Sequence, residues 1–187
     1  MSITKAGIVA SIAWAMALLA SPSVAWAAPE TYGFDKEHTE VRFSWDHLGL
    51  SRQSGRFHGV TGTVVFDQER PEASSIDVKI PLSSLATGIP ALDDVLLKKP
   101  DYINAAEHPE IAFKSNEVVM TTGRTANVSG DLTFNGVTKP VTLSVVWNFS
   151  GEHPLSKVNP TYAGVYASGF SARTQILRSE FNITRSI

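Results

Sequence analysis

The chain has 187 residues, no cysteine, 43% hydrophobic residues and a formal charge of −2. Nothing in that balance favours nucleic acid, whose binders carry a basic patch or stripe, and it gives no support to an anionic membrane surface either. With no cysteine, a disulfide framework is excluded and a packed core must stabilise the fold alone.

The N-terminus reads as an export signal. Lys5 supplies a positive start, no charged residue follows until Glu30, and residues 7–20 are apolar and alanine-rich. Pro22 breaks that run, and Ala25-Trp26-Ala27 offers small residues at the two positions a signal peptidase reads. Cleavage is expected after Ala27. The alternative is an uncleaved anchor, but the apolar core is shorter than the roughly 20 residues a span needs. Removal of residues 1–27 leaves residues 28–187 as one domain and takes the formal charge from −2 to −3. A disulfide-free exported domain points to a bacterial periplasm, where the Asn-x-Ser/Thr triplets at Asn127, Asn148 and Asn182 are incidental.

Strand patterns dominate the rest of the chain. Residues 39–46 alternate at period two, with Val41, Phe43 and Trp45 on one face. Residues 59–66 put Val60, Gly62, Val64 and Phe66 on one side, and residues 67–71 are a polar break. Ile76, Val78, Ile80 and Leu82 alternate with polar neighbours. Between Leu85 and Pro109 the pattern changes. Residues 91–98 read as a short helix with Leu92, Val95 and Leu96 on one face, ended by Pro100, and such an insert can lie across one end as a lid. Residues 111–115 form a short strand, and residues 117–120 begin another.

The clearest hairpin comes next. Ala126, Val128, Leu132 and Phe134 lead into Asn135-Gly136, a pair suited to the positive φ angles of a type I′ turn. Val141, Leu143, Val145, Trp147 and Phe149 then alternate, with Pro140 expected at the start of that strand. A slightly longer loop through Lys139 is equally compatible with this pattern.

Seven or eight strands with short connections fit a barrel or a sandwich. The Cys–Trp–Cys core of an immunoglobulin-type sandwich is absent, and barrel closure removes exposed edges. At about eight strands, a barrel is either filled by side chains or holds one small ligand.

Several spaced motifs coincide with one family. Asp35, His38, Val41, Phe43, His47-Leu48-Gly49 and Gly55-Arg56-Phe57 are followed by Gly62 and Phe66-Asp67. Thr87, Asp93 or Asp94, Asp101-Tyr102-Ile103, His108-Pro109 and Phe113-Lys114-Ser115 continue the series. Gly130-Asp131-Leu132-Thr133, Gly136-Val137-Thr138-Lys139-Pro140, Gly169-Phe170 and Arg178-Ser179-Glu180-Phe181 complete it. Across residues 32–183 the chain resembles the YceI-like family of periplasmic polyisoprenoid-binding proteins. The resemblance implies an all-β, lipocalin-like antiparallel β-barrel with a short helical insert, whose interior takes an isoprenoid tail, and it carries no catalytic residue. Two departures stand out. Asn182 replaces the family's usual glycine, and the family continues beyond this chain's end into a closing C-terminal strand. A barrel without that strand is expected to be open at one seam.

The expected ligand face comprises Val41, Phe43, Trp45, Val64, Phe66, Ile76, Val78, Ile80, Phe113, Leu132, Phe134, Leu143, Val145 and Trp147. Alternation alone fits a filled core equally well; the resemblance tips the set toward a cavity. A tail of about 25 heavy atoms at about 0.3 kcal/mol each gives micromolar binding, weak enough for release. Arg56 and Arg178 are candidate bidentate contacts to a head group, and Tyr102 is a candidate contact beside the insert. No cofactor is expected beyond a bound isoprenoid lipid or quinone. Contact with the inner membrane or a membrane quinone protein, and a homodimer, are compatible with such a carrier.

His38, His47, His58, His108 and His153 lack the close spacing of a metal site, so no metal is expected, and His38 and His47 are read as hydrogen-bonding loop backbone. Adjacent Asp93 and Asp94 point apart on a helix, and Glu107-His108 precedes a turn. There is no Gly-x-Ser-x-Gly elbow, Ser-x-x-Lys or phosphate loop. No catalytic residue is assigned; a lipid-handling enzyme and a ligand-free interaction module are the rival classes.

Overall fold

Alternating apolar residues, many of them β-branched or aromatic, favour extended chain that buries one face. The structure is a computed structural model describing residues 28–185; the expected leader, residues 1–27, lies outside the described residues. The strands are β1 (Glu30–Gly33), β2 (Val41–His47), β3 (Ser51–Phe57), β4 (Thr61–Phe66), β5 (Ser75–Pro81), β6 (Glu110–Thr122), β7 (Thr125–Phe134), β8 (Val137–Glu152) and β9 (Tyr166–Arg173). One helix, α1 (Pro90–Lys98), lies between β5 and β6.

Seven strands form one antiparallel sheet in the order β1-β4-β5-β6-β7-β8-β9, while β2 and β3 pair with each other. The two sets are continuous. Gly33 faces Thr63 in the first pairing, and after an interruption Val41 faces Phe57 in the second, so residues 30–66 make one long broken hairpin. The sheet curls into a nearly closed barrel with one seam, between β1 and β9. Side chains bridge it: the Phe66 and Phe170 rings meet edge-on with centroids 5.1 Å apart.

Asn135 and Gly136 do make a two-residue turn, with φ of 49° and 74° and Phe134 facing Val137. Strand β8 therefore begins at Val137, and Pro140 is its fourth residue rather than its start. In this register Phe134–Val137 and Leu132–Lys139 are the bonded pairs, so the Pro140 nitrogen faces away from β7. Pairing with β9 begins only at Ser144, and no described neighbouring strand misses the Pro140 N–H.

Residues 111–115 and 117–120 are one strand, not two. A bulge between Ser115 and Glu117 absorbs the break in alternation and lets β6 run through. Strands β1, β3 and β9 carry weak alternation, and pattern alone does not reveal them.

The core sits at one end of the barrel. Leu82, Leu85, Leu96, Tyr102, Ile103, Ile111, Phe134, Phe181 and Ile183 are buried there. Helix α1 buries Leu96 and packs Leu92 and Val95 against this core, the face expected from their spacing. Its first turn is held by Asp93, whose Oδ1 accepts from the Thr87 N–H at 2.8 Å and from the Thr87 hydroxyl at 2.6 Å. The Ile103 N–H then donates to the Leu96 carbonyl, folding the next segment back over the helix. Together these pieces form a sealed floor.

Candidate functional site

The inner face changes character along the barrel. Near the floor Ile80, Ile111, Phe113 and Phe134 are buried. Toward the other end Met120, Ala126, Val145 and Trp147 are only half-buried, and the β8 side chains Val141, Leu143, Val145 and Trp147 remain so along its length. The inner face is covered at the floor and half-exposed along β8, with the Phe66, Trp147 and Phe170 rings gathered at the far end.

Of the side chains expected to line it, Trp45, Val78, Ile80, Phe113 and Phe134 lie in the buried core. Val41, Phe43, Ile76, Leu132, Leu143 and Val145 are half-buried and pack against that core. Phe66 and Trp147 belong to a separate aromatic group with Phe170, the Phe66 ring standing 5.1 Å from each in edge-on geometry. Val64 is half-buried on β4 outside both groups.

Strand β2 contributes an aromatic wall. Phe43 stacks on Trp45 at 5.6 Å and on Phe57 at 5.0 Å. Gly55 makes this possible, because a Cβ there would sit 2.6 Å from the Phe43 ring.

The candidate head-group residues are dispersed. Arg56 lies on the solvent face of β3, with its Nη1 4.0 Å from Glu40 and its Cα opposite Arg42. Tyr102 is buried in the floor. Arg178 opens the short 3-10 turn Arg178–Phe181; its Nη1 is buried and has no partner among the described residues. That arginine lines a hollow of about 290 Å³ with Leu177, Ser179, Ile183, Thr184 and Arg185. Arg185 is held at 3.5 Å from the Asp101 carboxylate.

Two further polar atoms on β2 are buried without a partner among the described residues, Trp45 Nε1 and His47 Nδ1. Contrary to the expectation of a backbone-bonding loop residue, His47 ends β2 on the face of Val41, Phe43 and Trp45. Extending that alternation by one step places it there. His38 bonds a carboxylate rather than backbone, its Nδ1 lying 2.7 Å from Asp35 Oδ2. This contact raises the imidazole pKa and lowers the carboxyl pKa from their ordinary values.

The acid–base candidates are separated. Asp93 is committed to Thr87, and Asp94 pairs with Lys98 at 2.8 Å. The His108 ring packs beneath Gly136, where a Cβ would meet it at 2.5 Å. Among the described residues, no three His, Asp or Glu side chains gather as a metal site would require.

Comparison with known proteins covers most of the chain. A family model described as YceI-like domain matches residues 32–187. A UPF0312 protein of Pseudomonas savastanoi pv. phaseolicola is 36% identical over 176 residues, covering 93% of this chain and 85% of that one. Protein YceI of Escherichia coli is 36% identical over 159 residues, covering 84% and 78% respectively. Among solved structures, Burkholderia cenocepacia BcnA superposes with a TM-score of 0.64 at 24% identity, covering 76% of this chain and 79% of that one. None of these names states a catalytic activity.

Proposed function

The chain belongs to the YceI-like domain family, and from that premise we propose that it is a periplasmic carrier holding an isoprenoid lipid, a polyprenyl phosphate or an isoprenoid quinone, against its apolar inner face. The observation that carries this reading is the half-open inner face. Val141, Leu143, Val145 and Trp147 stay half-buried beside a floor where Leu82 and Leu96 are almost wholly covered. Leaving apolar surface wet forgoes about 25 cal/mol per Å², which an apolar tail laid along the strands would recover.

A flexible hydrocarbon suits such a surface because its contacts need no directional partners. The covered floor limits how deep a tail can go. The unpartnered Arg178 Nη1 lies at the floor end, in the hollow shared with Leu177 and Ile183, so an oxygen-bearing head group meeting it would stand there with its tail running toward the far end.

Native mass spectrometry and lipid extraction of residues 28–187, produced by export in a bacterial host, test the reading. Co-purification of an isoprenoid, and uptake of added polyprenyl phosphate or quinone with micromolar affinity, are expected. Repeated recovery of empty protein that also refuses both added lipids would overturn it.

A further inference from the structure

After β9 the chain enters the floor and doubles back. Phe181 and Ile183 are buried there, and the Phe181 carbonyl accepts from Asn135 Nδ2 at 3.0 Å. Between them Asn182 takes a φ of 58°, which reverses the chain, and the Ile183 N–H returns to the Arg178 carbonyl at 3.2 Å. The Arg185 N–H is fixed in turn by the Asp101 carbonyl at 3.2 Å. These bonds set Leu177, Arg178, Ser179, Ile183, Thr184 and Arg185 around one hollow of about 290 Å³.

Every polar side chain lining this hollow can donate a hydrogen bond: two guanidinium groups and two hydroxyls. Asp101 lies 3.5 Å from Arg185 and offsets that charge, and Glu180 is exposed on the same turn, so net charge does not single the hollow out. Arg178 does. Its Nη1 is buried with no partner among the described residues, and a guanidinium cannot shed its proton to escape the cost. An acceptor brought by a ligand removes that cost. Beside this cation Leu177 is 61% exposed and Ile183 is buried, so an apolar rim adjoins the donors.

We propose that this hollow is an anion subsite for a phosphate monoester, with Arg178 as its principal contact and Leu177 against the ester's hydrocarbon. A monoester brings three terminal oxygens and nearly two negative charges, whereas a quinone carbonyl brings one neutral acceptor. Charge-assisted bonds are about twice as strong as neutral ones, and the guanidinium fork matches phosphate geometry. Of the two head groups open to the carrier, the phosphate therefore suits this hollow better. The isoprenoid chain on that phosphate rests on the carrier reading; the anion subsite does not.

The test uses the chain expressed from its full sequence in a bacterial host and freed of co-purified lipid. Farnesyl phosphate, farnesol and inorganic phosphate are titrated by calorimetry, with the phosphorus resonance followed by NMR. Farnesyl phosphate is expected to bind at least tenfold more tightly than farnesol. Arg178→Gln should erase that preference and leave farnesol binding unchanged, while Arg185→Gln, at an exposed position, should reduce it only a few-fold. If Arg178→Gln lowers the melting temperature, Arg178→Lys replaces it, which keeps the charge, loses the fork and should retain part of the preference. Equal binding of farnesyl phosphate and farnesol, a preference untouched in the folded Arg178 variant, or no binding of any of the three would overturn the inference. Farnesol binding without a phosphate preference keeps the carrier reading and removes the subsite. Arg178-dependent binding of inorganic phosphate, with both farnesyl compounds refused, keeps the subsite for free phosphate and removes the carrier reading.

Discussion

Asn135 donates its Nδ2 to the Phe181 carbonyl at 3.0 Å, joining the β7–β8 turn to a segment 46 residues away. Its Oδ1 accepts from the Asn104 N–H at 3.1 Å, so one buried amide ties three separate stretches of chain into the floor. The same residue holds φ at 49°, which Asn tolerates better than most. Asn135→Ala should cost about 2–3 kcal/mol by orphaning two buried groups and straining the turn. Asn135→Gly should cost less, since it keeps the turn geometry and loses only the bonds. Urea unfolding of both variants separates the two contributions.

Gly130 faces Ser115 beside the β6 bulge, and a Cβ there would lie 2.3 Å from the Lys114 carbonyl and 2.7 Å from the Phe113 ring. Gly130→Ala is therefore expected to destabilise by about 1–3 kcal/mol through overpacking. A melting temperature equal to that of the wild type would contradict the close approach.

Val145 is half-buried on the open inner face. Val145→Lys should leave the melting temperature within a few degrees, because the new ammonium reaches water, but reduce isoprenoid occupancy at least tenfold. Native mass spectrometry of the folded variant reads this directly. Unaltered occupancy would place the lipid elsewhere.

The β4–β5 connection makes stability pH-dependent. Asp67 accepts from the Arg70 and Glu69 N–H groups at 2.8 and 3.0 Å, and these bonds, with Arg70 the larger cause, hold its carboxyl below the ordinary carboxylate value. In acid the unfolded chain takes up this proton first, so stability rises with pH across that window. The contribution is complete above the ordinary carboxylate pKa and disappears as pH falls through the folded value. Asp67→Asn should flatten part of the acid limb of a stability–pH profile measured by urea unfolding. An unchanged acid limb would show that the carboxylate contributes nothing there.

Arg178→Gln removes the charge while leaving a side chain of similar reach. Binding of a polyprenyl phosphate should weaken about tenfold or more if Arg178 meets the phosphate, whereas binding of a quinone should change little. Equal losses for both lipids would indicate a structural role for the 3-10 turn instead.

Much of the barrel is legible in the sequence because its causes are local. Val141 to Phe149 alternate, so β8 can be read directly; Asn135-Gly136 signals its own turn; Leu92, Val95 and Leu96 mark a helical face. Strand β3 is not legible because Ser51–Phe57 holds arginine, glycine and serine, and pairing with β2 imposes its conformation. The candidate site is readable as a set of inward positions but not as a surface. Alternation groups Phe43 and Val41 correctly, whereas His47 reads as a loop residue although it shares their face.

Near-neighbour chemistry settles the strand-rich class, the helical insert and the inward face of the strands that alternate, such as β2, β5 and β8, because alternation and turn formation act over a few residues. Which inward residues are covered is decided only by the assembled barrel. Phe113 and Val145 follow the same pattern, yet one lies buried near the floor and the other is only half-buried farther along the barrel. The physical reason is that burial depends on what distant chain brings over a residue: Phe181 and helix α1 seal one end, and no described strand zips β1 to β9 along the seam.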